Sequence, residues 1–282
     1  MHNNQFGSYT PSVSKEEVLD ITIGIFFDGT LNNKTNTDER KNNTDAHKKH
    51  GGKDTDNTSY NNDWSNVARM WDNYDKNFGI YIEGIGTQDK EGDATLGYAF
   101  GTGETGIRSK VRKGCEEIVK KVKTIKAEKK ADKIAVLTFD VFGFSRGAAA
   151  ARNFAYEING KKRTVDVEIK KSRKIVGYTQ MDSSEGPITI PEYGDMWIDK
   201  DKIEVDPNYL VDGKLPKFGF LGYYLLSKDV VTKEELEELE LYVRFIGAYD
   251  TVSSYEEYGD MGGLRRVGWE GMKHSTLGSS YN

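Results

Sequence analysis

The feature that most constrains this chain is a junction between residues 133 and 158. The run KIAVLTFDVF (133–142) is the most apolar and β-branched in the sequence, and it enters Gly143-Phe144-Ser145-Arg146-Gly147 without a spacer. An alanine-rich segment from Arg146 to about Ile158 follows at once. The first part reads as a strand buried on both faces, and the last as a helix of high intrinsic propensity. A G-x-S-x-G pattern between them is that of a nucleophile elbow, in which a strained turn lifts a serine hydroxyl above the carboxyl edge of a sheet. Gly143 and Gly147, two positions either side of Ser145, would let strand, turn and helix pack closely. The motif alone is common by chance and often marks only a helix-capping serine. Its strand-turn-helix setting is what points to Ser145 as a nucleophile.

The rest of the chain supports an α/β class, expected to be α/β-hydrolase-like: a mostly parallel central sheet flanked by helices. ITIGIFF (21–27) reads as a first buried strand, residues 78–83 as a second and 241–248 as another. Val67, Met70 and Trp71 fall on one helical face. Ile107, Val111, Ile118, Val122 and Ile125 give a longer helix over about 107–127 its inward stripe. Thr232 followed by Glu234 and Glu235 is an N-cap signal. Between these elements, residues 32–63 are rich in Asn, Lys, Thr, Asp and Gly and are expected to form a long polar loop, partly disordered. Residues 161–230 suggest hairpins and loops, read as an inserted lid or cap. Residues 1–19 are expected to be a flexible tail, and residues 20–282 one catalytic domain.

A nucleophilic serine needs a base, and the base needs an orienting acid. In this fold the order is Ser, then Asp or Glu, then His. Asp250 follows a strand and is the expected acid; its alternative is an ordinary turn residue. Of His2, His47, His50 and His274, only His274 lies after the serine, in a glycine-rich tail. The oxyanion hole is expected from the backbone N–H of Arg146 and an N–H in the loop after the first strand, where Gly29 and Thr30 stand. The Arg146 side chain is expected to brace the elbow through a carboxylate such as Asp28.

Two other motifs point elsewhere and fail. FDGTL (27–31) resembles the D-x-D-G-T start of aspartyl-phosphate phosphatases, but the nucleophile position is Phe26. GTGETG (101–106) matches G-x-G-x-x-G without a strand before it, and Glu104 would repel a pyrophosphate, so it reads as a turn ahead of a helix.

A net charge of −5 gives no bulk attraction for nucleic acid or anionic lipid. The lone Cys115 excludes an internal disulfide or a Cys-based zinc site and suggests a reducing compartment. No signal peptide is read in the first twenty residues, and no run is long enough to span a membrane. No cofactor or metal is expected: the Asp-rich stretch 38–63 lacks D-x-D-x-D-G spacing for calcium.

The ordered set FFDGTLNN (26–33), TSYNNDWSNVARMW (58–71), YIEGIGT (81–87), GYAFGTGETGIRSKV (97–111), VFGFSRGAAAARNF (141–154) and FIGAYDTVSSY (245–255) resembles the type VI secretion phospholipase effectors, in their first, α/β-hydrolase lipase class. The resemblance runs from about Asp20 to Ser254 and carries over Ser145 as nucleophile and Asp250 as triad acid. It implies a phospholipase of A type, made in the cytoplasm and delivered by a contractile apparatus to the periplasm of a rival bacterium, with only peripheral membrane contact. Partners implied are the phospholipid substrate, spike or tube proteins and an immunity protein. That class places its histidine in an H-x-x-x-x-D-E-x-R motif after the aspartate, and none occurs before Asn282. Three expectations follow: the histidine is encoded beyond this chain, which is favoured; His274 substitutes; or the module is catalytically incomplete and serves to dock a spike or immunity protein. An esterase for soluble substrates is a further alternative.

Overall fold

The computed structural model describes residues 17–53, 56–94, 103–159, 170–183, 186–198, 204–252, 256–258 and 264–266. Its elements run β1 (Val18–Phe27), α1 (Lys34–Lys41), α2 (Asp45–His50), α3 (Asn66–Asp72), β2 (Gly79–Ile82), α4 (Ile107–Lys129), β3 (Lys133–Phe144), α5 (Arg146–Ile158), β4 (Lys170–Ser183), β5 (Gly186–Ile198), β6 (Glu204–Val205), α6 (Phe220–Ser227), α7 (Lys233–Glu238) and β7 (Glu240–Tyr249), with short β8 (Glu256–Tyr258) and β9 (Leu264–Arg266). Four strands form one parallel sheet in the order β2-β1-β3-β7. The molecule is therefore α/β, compatible with a hydrolase-like fold.

Alternation along the strands divides the core into two layers. Ile25 and Phe27 face α4, where Gly114 leaves room for both, and Phe27 and Phe139 meet Phe154 of α5 at ring separations of 5.8 and 5.5 Å. The expected stripe of α4, from Ile107 to Ile125, is buried throughout. On the other face Phe26 stacks on Phe142 at 4.6 Å and meets Tyr74 edge-on, while α3 contributes buried Val67. This second layer is thinner: Phe245 and Tyr249 on edge strand β7 stay about half exposed.

Three boundaries differ from the sequence-based expectation. The first strand begins at Val18, so residues 18 and 19 belong to the sheet rather than to a tail. Residues 32–63 are not one loop, since α1 and α2 stand there, each with a side-chain N-cap, Asn33 and Thr44. Composition misled because the segment is anchored largely by buried polar groups, Asn33, Asn36, Thr37 and Ser59, beside a single large buried ring, Tyr60. Asn36 donates to Ser59 Oγ (2.8 Å) and to the Gln88 carbonyl (3.0 Å), and Thr37 donates to the Asn33 and Asn62 carbonyls. The insertion 161–230 also divides. Its central part is the β4–β5 hairpin, but from Val205 onward Leu215, Phe218, Phe220, Leu221 and Leu225 join the main core.

The N-cap signal at Thr232 is realised as a reciprocal capping box with Glu235. Thr232→Ala is expected to cost about 1 kcal/mol, measured as a lower urea midpoint at unchanged slope. Among the described residues no helix is long and apolar enough to cross a membrane.

Candidate active site

Ser145 leaves β3 with φ 54° and ψ −124°. A non-glycine residue holds such a conformation only where its surroundings over-determine it. Here its N–H donates to the Tyr249 carbonyl on β7 (2.9 Å), and its carbonyl accepts from Ala148 (3.0 Å) and Val252 (3.3 Å). The flanking glycines are required by space. A Cβ on Gly143 would lie 2.4 Å from the Gly147 oxygen, and one on Gly147 would lie 2.3 Å from the Asp28 oxygen and 2.4 Å from the Phe27 oxygen. The first turn of α5 thus rests directly on the end of β1, and half-buried Ser145 stands at the carboxyl edge between β1 and β7.

On the β1 side, the loop after Phe27 is locked to its neighbours by backbone bonds. Asp28 N–H reaches Ile82 O, Leu31 N–H reaches Ile85 O and Gly84 N–H reaches Asn32 O, at 2.8–3.1 Å. The Gly29 N–H is engaged by the Asp28 carboxylate (Oδ1, 2.7 Å), whereas the Thr30 N–H has no acceptor among the described residues. The first amides of α5, Arg146 included, lie where a helix offers N–H groups without intrahelical partners and the positive end of its dipole. The Arg146 side chain does brace this loop, but Nε donates to Thr30 Oγ1 (2.7 Å), not to Asp28. Burial alone pulls its guanidinium below the usual range.

Asp28 is almost fully buried. Beyond Gly29 it accepts from the Tyr81 hydroxyl (2.6 Å). Burial pushes its carboxyl up from the ordinary range, and the polar groups of Ser65, Tyr81 and Gly29 beside it oppose that shift. Burial, followed by the neighbouring Asp28 charge, pushes the Tyr81 hydroxyl well above an ordinary phenol. These partners were invisible in the sequence because Tyr81 lies 53 residues from Asp28 and no local periodicity relates them.

On the β7 side, Asp250 directly follows Tyr249, the residue whose carbonyl holds Ser145. Asp250 is exposed and itself has positive φ (44°). The described histidines, His47 and His50, lie on α2, facing Tyr60 and Glu91 respectively. His274 and His2 lie outside the described residues. A groove of about 650 Å³ opens beside the elbow, walled by Trp64, Val67, Met70, Phe144 and Tyr249, with Ser65, Asp63 and Arg69 along it.

Fold and site together define an α/β chain with a strained serine at a strand–helix elbow. No family model matches the chain, and no curated protein matches it. Among solved structures it is similar to that of the Tle1 effector bound to the VgrG spike from the type 6 secretion system, at 24% identity over 57% of this chain with a TM-score of 0.32. This chain spans 36% of that effector's length. At that identity and TM-score the likeness assigns neither family nor activity.

Proposed function

We propose that this chain is a serine carboxylic ester hydrolase of the α/β-hydrolase type, acting on phospholipids as a phospholipase A within a type VI secretion effector. The observation that carries it is the backbone of Ser145, held in a disfavoured conformation between two glycines that have no room for a Cβ. Such strain at a sheet's carboxyl edge serves to present a hydroxyl to substrate. Ser145 Oγ attacks the ester carbonyl carbon while a histidine base takes its proton. Negative charge on the tetrahedral oxygen is met by the N–H groups of Arg146 and Thr30. Gly29 drops out of this role because its N–H is spent on Asp28. The ester C–O bond then breaks, the base returns the proton to the leaving alcohol, and water releases the acyl group by the same route. Asp250 orients the base, for which His274 is the candidate in this sequence. The acyl chain lies in the groove walled by Val67, Met70 and Phe144, and the β4–β5 hairpin, exposing Tyr178, Met181, Ile188 and Tyr193, acts as the lid.

A spike protein and an immunity protein are the proposed partners, and the periplasm of a target cell the proposed site of action. The test is labelling by a fluorophosphonate probe with the modified residue mapped by mass spectrometry, on the wild type, Asp250→Asn and His274→Ala. Labelling at Ser145 that falls away in both variants establishes the triad within this sequence, and survival in His274→Ala places the base elsewhere. Release of fatty acid from phosphatidylcholine vesicles then separates a phospholipase from an esterase for soluble substrates, which gains no rate at an interface. A second reading, a hydrolase-fold docking module, is favoured by the engagement of both described histidines on α2, His47 with Tyr60 and His50 with Glu91. No labelling of the folded protein would select it.

A further inference from the structure

The buried carboxylate of Asp28 has no task in the mechanism above, and no cation pairs with it among the described residues. Two donors converge on it from separate elements. Gly29 N–H (2.7 Å) belongs to the loop that carries Thr30. The Tyr81 hydroxyl (2.6 Å) stands in β2 and itself accepts the Lys34 N–H (2.9 Å), the first residue of α1. The Tyr81 ring in turn meets Trp71 of α3 (5.8 Å between centroids), and α3, capped by Ser65 through the Ala68 N–H at 3.0 Å, is the wall of the groove. A carboxylate accepts from both, one on each oxygen, with no hydrogen of its own to place. Removing it from water is costly, so stability alone would be served better by a neutral residue.

We propose that Asp28 is a positioning residue that fixes the oxyanion loop and the acyl-groove wall in one register, so that a substrate chain seated against α3 meets a preset Thr30 N–H. This rests on the hydrolase reading of Ser145. The geometry favours it because Gly147 seats α5 on the Asp28 carbonyl itself, which makes Asp28 the junction of elbow, loop and groove.

The sign of the pH effect separates a functional from a purely structural carboxylate. Burial raises the folded-state value above the ordinary 3.8, so the native chain holds this proton more tightly than the unfolded one. Stability therefore falls as pH rises from the ordinary value through the raised one, and an amide removes that loss.

The experiment compares wild type, Asp28→Asn and Tyr81→Phe in three measurements: thermal midpoint at pH 5 and 7, steady-state hydrolysis of a p-nitrophenyl ester, and hydrogen exchange resolved to residues 29–31 and 65–68. The expected result for Asp28→Asn is a midpoint at pH 7 equal to or above that of the wild type. Its kcat falls about 10- to 100-fold with little change in KM, and exchange at both segments is at least tenfold faster. Tyr81→Phe follows in the same direction with a smaller loss. Unchanged exchange at either segment overturns the proposal, as does a kcat within twofold of wild type or a loss of activity matched by a lower midpoint. Because exchange needs no turnover, it decides the positioning role even if the wild type hydrolyses nothing, in which case the hydrolase reading alone has failed.

Discussion

Ser145→Ala is expected to lose all fluorophosphonate labelling and to lower ester turnover by about 10⁴-fold or more, to the residue of rate that oxyanion donors and binding alone supply. Little else should change. The hydroxyl is the only group removed, and no hydrogen bond of the Ser145 side chain contributes to the fold among the described residues; the residue is held through its N–H and carbonyl. Alanine is also strained at φ 54°, as serine is, so the thermal midpoint should stay within a few degrees. A variant that folds like the wild type and hydrolyses as fast would remove Ser145 from the mechanism. Loss of the fold itself would instead mean that the hydroxyl is structural, the helix-cap alternative that the motif always carries. Against that alternative, Ser145 caps α5 without any side-chain hydrogen bond, whereas Ser65, Asn33, Thr44 and Thr232 all cap their helices with one.

What the sequence made legible was whatever is written in local pattern. The apolar runs at 21–27 and 133–142, the stripe of α4 and the capping box at Thr232 all appear where periodicity and spacing put them, and α5 spans the expected residues 146–158. Hydrophobic pattern could not show that residues 33–62 fold, because their order comes from Asn33, Asn36, Thr37 and Ser59 bonding across the segment. Pattern also assigned Phe218 to Leu226 to an inserted lid or cap when they join the main core. The motif marked the β3–α5 turn at which Ser145 stands, and the strand reading put Asp250 just after β7. The supports of the loop after β1 were out of reach, since Thr30, Arg146, Asp28 and Tyr81 meet only once β1, β2 and β3 lie side by side. An FDGT string that looked like a failed phosphatase motif proves to be the loop that completes the serine's surroundings.

The glycines of the elbow allow a second large effect to be stated in advance. Gly147→Ala adds a methyl carbon where two backbone oxygens, of Asp28 and Phe27, stand at 2.3 and 2.4 Å. Neither can turn aside as a long side chain would: the Phe27 carbonyl ends a central strand and the Asp28 N–H is bonded to Ile82. Helix α5 must therefore lift from β1. Overpacking of a rigid site costs about 3 kcal/mol, which for a chain of this size lowers the midpoint by roughly 6 to 12 °C. Lifting α5 also draws the Arg146 N–H and its side-chain bond away from Thr30, so labelling of Ser145 should fall even at temperatures where the variant stays folded. The control is Gly92→Ala, where an added methyl meets only His50 Nδ1 at 3.4 Å and neither midpoint nor labelling should move. A Gly147→Ala protein as stable and as reactive as the wild type would mean that α5 does not rest on β1, and with it the case for a preset oxyanion site at Ser145 would fall.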